Sequence, residues 1–362
     1  MSERNDIFPL YKSIGPEEEE AALRVLRSGC LSGFLSGSPE ARDAEVNGGP
    51  EVRTLEDAWK QTYGVRHAIT FNSATSALLA ASGAIGLKTG DRAICPPWTM
   101  SATVAAPMFY GAKVDFADIE DETWCIDPDK IEPLIRAETK AIFAVNLFGH
   151  PANLTPLREI ARHHRLRLIE DSAQTPRARY YGRWAGTLSD IGIYSLNRHK
   201  HIHCGEGGVA VTDDDEIARR MRSIRNHGVS PLGLNLRMTE IEAAIATVQL
   251  HTIAKHIQCR RKLAEALSDG LKDCMDVPVV RKNCEHNYYL WTGRFHGEHG
   301  QLKVPHISGY IQPLHRVFDS RSPCPVVDRE RELVVCFEIC KYDIPDPTPV
   351  IEAFRAAAEC RS

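Results

Sequence analysis

The 362-residue chain has no apolar run long enough to span a bilayer. Its longest nearly apolar stretch, Ser76–Leu87, is short and rich in small residues, which suits a packed helix instead. The chain has no excess of one charge either. Forty-four basic and 48 acidic residues give a net charge of −4, too mild to argue for nucleic acid or an anionic membrane surface as a partner. The N-terminus, Met1-Ser2-Glu3-Arg4-Asn5-Asp6, lacks the basic-then-apolar pattern of a secretory signal. The 11 cysteines follow no framework spacing, which fits reduced thiols and a cytoplasmic protein. There is no internal repeat and no low-complexity tract. At this length and with 43% hydrophobic residues, one large domain plus a smaller one is expected.

What is present is an alternation of strand and helix. Gly15-Pro16 followed by four glutamates opens a first helix, with proline in the first turn and acids at the positive end of the dipole. Residues Ser32–Gly49 read as a loop. Strands are expected at His67–Phe71, Arg92–Cys95, Lys113–Phe116, Ala141–Asn146, Arg167–Glu170, Ile191–Ser195 and Gly208–Val211. Helical segments such as Thr75–Leu87 and Ser101–Tyr110 separate the earlier ones, which argues for an α/β fold around a mainly parallel seven-stranded sheet covered on both faces. The later strands follow closely on one another, so one antiparallel member is expected. Thr212-Asp213-Asp214-Asp215 caps a helix over Glu216–Asn226. A longer helix from Thr239 through Gln258, extending towards Leu271, links a large unit, 1–254, to a smaller α+β unit, 255–362. The segment 1–30 is expected to pack on that smaller unit. Cys336 and Cys340 share a face if their segment is helical, and core packing is the simplest use for them.

The chemistry concentrates at strand ends. Ser195-Leu196-Asn197-Arg198-His199-Lys200 runs into His201-Ile202-His203-Cys204-Gly205-Glu206-Gly207-Gly208. Upstream, Leu168-Ile169-Glu170-Asp171 is an apolar run ending in acid. A lysine held in a glycine-rich loop and an acid at a strand end are the two groups that pyridoxal phosphate needs, one for the Schiff base and one to keep the pyridine nitrogen protonated. Ligands in such sheets gather at the carboxyl ends of strands, where Asp171 falls. Asn72-Ser73-Ala74-Thr75-Ser76-Ala77 joins a strand to a helix, and suits either an ordinary helix cap or a phosphate held on the helix N-terminus. Ser195 offers a second hydroxyl. Gln174 suits a contact to the cofactor's phenolic oxygen or a cap. Trp98, in Pro96-Pro97-Trp98-Thr99-Met100, suits the pyridine face or plain core packing. A rival reading uses His199, His201 and His203, which share a face in an extended segment beside Cys204 and would suit zinc; no second ligand cluster supports a metal site.

Between about Gly49 and Leu250 the chain resembles the DegT/DnrJ/EryC1/StrS family of sugar aminotransferases, which are fold type I pyridoxal phosphate enzymes. The resemblance is carried by Gly49-Pro50-Glu51-Val52 with Leu55-Glu56, by Asn72–Ala77 and by Glu170–Gln174. Ser195–Gly208, Asn226-His227-Gly228, and Gly233–Met238 with Glu240-Ile241 and Ala243-Ala244 complete it. It implies Lys200 as the Schiff-base lysine, Asp171 at the pyridine nitrogen and Gln174 near the ring oxygen. Ala74, Thr75 and Ser195 would hold the phosphate, and Asn235 would reach it from a neighbouring subunit, so a homodimer with shared sites is implied. Many relatives stack a residue on the ring two places after Trp98, where this chain has Met100, which leaves Trp98 or Met100 for that task. The segment Ser36–Asn47 is longer than in many relatives. The implied reaction moves an amino group from a donor, by resemblance L-glutamate, to a keto sugar. That sugar is a nucleotide-linked keto-deoxysugar, a free keto sugar acid or a cyclitol. Two alternatives are a sugar dehydratase, whose members carry histidine in place of the lysine, and a non-catalytic binding protein on the same fold.

Overall fold

In a computed structural model the chain is described over residues 12–34, 47–297, 307–308, 313–318, 323–337 and 344–359. Residues 35–46 of the expected loop, and Cys340, lie outside the described residues. The chain opens with α1 (Pro16–Ser28) and α2 (Pro50–Tyr63), followed by β1 (His67–Phe71), α3 (Ala74–Ala84), β2 (Arg92–Cys95), α4 (Ser101–Phe109) and β3 (Lys113–Phe116). Then come β4 (Thr139–Val145), α5 (Leu154–His163), β5 (Arg167–Asp171), the short pair β6 (Arg179–Tyr180) and β7 (Arg183–Trp184), β8 (Ile191–Ser195) and β9 (Gly208–Thr212). Helices α6 (Asp215–Arg225) and α7 (Glu240–Leu271) complete the larger part.

Seven strands form one sheet in the order β1-β9-β8-β5-β4-β2-β3. Only β9 runs against the others, as the close succession of the late strands implied. Alternate side chains divide between the faces because successive strand residues point to opposite sides. Ile69, Phe71 and Ala210 pack with α3, α5 and α6, whereas Ala68, Val209 and Val211 pack with α2 and α7. On the latter face Trp59, Tyr63 and Tyr194 form a ring cluster with centroids 4.9 to 5.3 Å apart.

Two buried acids tie distant segments to this frame. Glu56 of α2 accepts from the Thr70 amide at 2.9 Å and from Arg225 Nη1 at 2.7 Å. Glu240, at the start of α7, accepts from the amides of Gly49 (3.0 Å) and Glu51 (2.8 Å), so its carboxylate caps the N-terminus of α2. A Cβ at Gly49 would sit 2.7 Å from that carboxylate, which explains a glycine there.

Helix α7 is one unbroken element of 32 residues, about 48 Å long at 1.5 Å per residue. Its first half packs on the main sheet through Ala243, Ala246, Leu250 and Ile253. Its last turns, with Ala264, Leu267 and Leu271, pack on a second core. That core includes β11 (Trp291–Arg294) and β13 (Val334–Phe337), which form an antiparallel sheet with β12 (Ile307–Ser308) in the order β11-β13-β12. The short strand β10 (Cys284–Glu285) pairs with β6 instead. Cys336 therefore sits in a strand, not a helix. Helix α1 packs through Ala21 and Val25 on Ala244 of α7. That contact lies in the half of α7 that packs on the large sheet. Among the described residues no helix is long and apolar enough to cross a membrane.

Candidate active site

The carboxyl ends of β1, β5 and β8 and the start of the reversed strand β9 meet at one edge of the sheet. Gly208 is paired with both Phe71 and Ser195, so the register brings the β1–α3 turn and Ser195 together. Ser73 caps α3, its hydroxyl accepting from the Ser76 amide at 3.0 Å. Ala74 and Thr75 follow in the first turn, where helix amides have no intrahelical acceptor. Gly208 is bare backbone against that turn, and a Cβ on it would lie 2.5 Å from the Ala74 nitrogen. The Ser195 hydroxyl accepts from the Asn197 amide at 3.3 Å.

Asp171 ends β5, buried. Its Oδ2 accepts from Thr103 Oγ1 at 2.7 Å and its Oδ1 from the Ala173 amide at 3.2 Å. Thr103 Oγ1 lies 2.8 Å from Thr99 Oγ1, so two buried hydroxyls, one from the β2–α4 connection and one from the first turn of α4, stand behind the carboxylate. Burial pushes the Asp171 carboxyl up, while the Thr103 and Ala173 hydrogen bonds and the charge of Lys200 pull it down. Its neighbour Glu170 faces the other way. Buried, it accepts from the amides of Gly186 (2.7 Å) and Leu188 (2.8 Å), which makes it a tie for the β7–β8 connection.

Lys200 is half-buried in a tight turn closed by its own amide on Asn197 O at 2.8 Å. Its Nζ lies over the Tyr289 ring, 4.4 Å from the centroid. Gln174 is buried and accepts through Oε1 from the Phe148 amide at 2.6 Å. Phe148 is held in the left-handed region at φ 57°, as is Gly149 at φ 110°.

Of the two residues read for the ring face, Trp98 is 0% exposed, with its indole edge-on to Phe148 at 5.5 Å. Met100, at the N-cap of α4, is 51% exposed. The histidines do not share a face, because residues 197–203 turn and do not extend. His199 is exposed, whereas His201 is buried with Nε2 on Asn287 O at 3.2 Å. Among the described residues no group of three or more His, Cys, Asp or Glu could hold a metal ion. Asn235 is exposed, and its Oδ1 accepts from Arg237 Nε at 2.8 Å.

Comparison with known proteins gives this arrangement a family. The model of the DegT/DnrJ/EryC1/StrS aminotransferase family matches residues 41–307. The chain belongs to that family. It is 35% identical to the GDP-perosamine synthase of Caulobacter vibrioides over 251 residues, 66% of this chain and 68% of that protein. It is 34% identical to a dTDP-3-amino-3,4,6-trideoxy-alpha-D-glucose transaminase of Micromonospora megalomicea, over 68% of this chain and 69% of the relative. Among solved structures, S. venezuelae DesV in complex with a ketimine intermediate superposes with a TM-score of 0.86 at 29% identity, covering 95% and 94% of the two chains. An E. coli GDP-4-keto-6-deoxy-D-mannose-3-dehydratase shares the fold, with a TM-score of 0.83 at 24% identity over 97% and 99% of the two chains. The protein is thus a pyridoxal phosphate-dependent aminotransferase, and sugar transamination is the activity its curated relatives support.

The residues of this aminotransferase fit the cofactor. A lysine, a buried carboxylate that feels its charge, helix-start amides and a strand-end hydroxyl are the donor set the cofactor's aldehyde, pyridine nitrogen and phosphate need. Sequence reasoning missed Thr99, Thr103, Asn287 and Tyr289. Thr103 carries a faint signal, lying four residues after Thr99 and so within one helical turn of it. The other two lie in a segment without periodicity.

Proposed function

We propose that Lys200 is the lysine to which pyridoxal phosphate is linked and that Asp171 is the acid opposite its ring nitrogen. The observation that carries this is geometric: Asp171 at the end of β5 and Lys200 in the turn after β8 fall at the same carboxyl edge, with the Ala74-Thr75 helix start and Ser195 beside them. Ala74, Thr75 and Ser195 would hold the phosphate, and Gln174 the ring oxygen. When bound, the cofactor supplies a protonated pyridine ring that accepts the electron pair left behind when an amino acid loses its α-proton. Asp171 keeps a proton at the ring nitrogen, and Thr103 with the Ala173 amide fix the direction of its carboxylate. Lys200 Nζ, once released by the amino donor, takes the α-proton and returns it as general acid.

The donor in this reading is L-glutamate, and the acceptor is a nucleotide-linked keto-deoxysugar. Support comes from the two curated relatives, whose names specify GDP- and dTDP-linked amino sugars. A dehydratase reading is not favoured, because lysine stands at position 200 and the curated relatives are named as a perosamine synthase and a transaminase. Two chains would share each site, Asn235 reaching the phosphate of the partner. In support, Asn235 is exposed on a loop whose apolar residues Val229 (86% exposed) and Leu232 (82%) have nothing over them in one chain. The same reading divides the chain near residue 254 into a cofactor-binding unit and a smaller C-terminal unit. It assigns the protein to the cytoplasm, where the nine free thiols among the described cysteines stay reduced.

The test is an absorbance spectrum of protein with pyridoxal phosphate, before and after L-glutamate. A band near the visible edge that shifts to shorter wavelength on donor addition supports the reading. A band that ignores glutamate refutes the donor, and no band refutes the cofactor site.

A further inference from the structure

The segment His286–Leu290 follows β10 in the C-terminal part of the chain, yet the polar groups of its Asn287 reach segments at the cofactor edge of the main sheet. Asn287 is fully buried and its side chain and backbone are all used. Its amide donates to Gly149 O at 3.1 Å, and Nδ2 donates to Gln174 O (3.1 Å) and Pro176 O (2.9 Å). Its carbonyl accepts from His201 Nε2 at 3.2 Å, and Oδ1 accepts from the Tyr289 amide at 3.1 Å. One asparagine thus fastens together the Phe148-Gly149 turn, the strand exit after Asp171, the turn that carries Lys200, and Tyr289. A buried amide with every donor and acceptor paired is rigid, because each bond lost would leave an unsatisfied group.

What this rigidity delivers is an aromatic face. Tyr289 is buried, and Lys200 Nζ lies 4.4 Å from its ring centroid. The negative face of an aromatic ring attracts an ammonium at that range. We infer that Tyr289 is a positioning residue of the active site, its ring face fixing where the Lys200 amine rests when it is not linked to the cofactor, with Asn287 holding Tyr289 in register. The next ring along, Tyr288, stacks on His286 with centroids 4.2 Å apart and serves as an internal control.

The inference rests on Lys200 being the linked lysine, and the experiment separates the two. Apoprotein is mixed with pyridoxal phosphate and sampled over time with sodium borohydride. The lysine amine and the cofactor aldehyde condense with loss of water, and borohydride hydride reduces the carbon–nitrogen double bond to a stable single bond. Mass spectrometry then reads the rate and the position of the label, a readout independent of turnover. The rate of labelling at residue 200 is expected to rise about 3- to 30-fold in Tyr289→Leu, the range one cation–π contact spans, because the ring face holds the amine as the ammonium that must lose its proton before it condenses. Tyr289→Phe keeps the ring face and is expected to stay near wild type, as is Tyr288→Leu, which perturbs the same segment away from the lysine. A wild-type rate in Tyr289→Leu overturns the inference. So does a lower rate in Tyr289→Leu, an equal rise in Tyr289→Phe, which would assign the effect to the hydroxyl, or an equal rise in Tyr288→Leu, which would make it general loosening. A wild-type label away from residue 200 instead overturns the assignment of Lys200 itself.

Discussion

Acid should loosen this enzyme through its buried imidazoles, and His150 is where the size of the effect can be worked out. Its Nδ1–H donates to Pro151 O at 2.7 Å and its Nε2 accepts from the Arg281 amide at 3.0 Å, so both nitrogens are satisfied only in the neutral ring. Protonation would set two N–H donors against each other. Burial accordingly lowers its pKa to about 4. A histidine with a folded value below its unfolded one stabilises fully above the unfolded value and loses that stabilisation as pH falls towards the folded one. With an unfolded value of about 6.5, the loss from pH 7 to pH 5 comes to about 2 kcal/mol for this one residue. That is a large share of a typical folding free energy of about 5–15 kcal/mol. His201 and His286 are also pushed well down by burial and add in the same direction. The half-buried carboxyl of Glu120 and the buried ones of Glu170 and Asp171, raised by desolvation, work in the opposite sense at lower pH, so the informative quantity is a difference between variants. Urea denaturation of wild type and His150→Gln, followed from pH 7.5 to 5, should give a shallower pH dependence in the variant by about 2 kcal/mol across pH 7 to 5. Superimposable pH profiles, however destabilised the variant, would refute the argument.

Other perturbations test the site directly. Lys200→Ala should remove the band near the visible edge and lower turnover by about 10²–10⁴-fold or more, the contribution of a positioned general acid–base group, and stopped-flow absorbance with an amino donor reads both. Thr103→Val keeps the shape of the side chain but deletes a hydrogen bond to a charged group worth about 1.5–3 kcal/mol. Proton removal from the donor should slow by about 10- to 100-fold, with cofactor retention little changed; a wild-type rate would show that Asp171 needs no support. Asn235→Ala should weaken cofactor retention. In mixed assemblies with Lys200→Ala chains, partial recovery of activity is expected only if sites are shared between chains.

Much of the sheet was legible because its strands are short runs of buried β-branched and apolar residues, and each lies within two residues of its expected bounds. Asp171, Ser195 and Lys200 stood out for the same local reason, being polar residues at the ends of such runs or inside a glycine-rich turn. Trp98 was ambiguous because a tryptophan after a strand serves equally well as a ligand face or as core, and in the fold it is buried edge-on to Phe148. Glu56, Glu240 and Asn287 were illegible as ties, since their partners lie more than a hundred positions away in Arg225, Gly49 and Gln174. Nor could the C-terminal sheet be read, because its strands span two to four residues and leave no periodicity to detect.

The unbroken run of α7 from the edge of the main sheet to the second core has a mechanical corollary. A continuous hydrogen-bonded rod has no hinge, so the two ends of the enzyme cannot flap about a point within it as jaws do. Relative motion of the two cores along this connection is confined to gentle bowing of the rod or rolling about its axis.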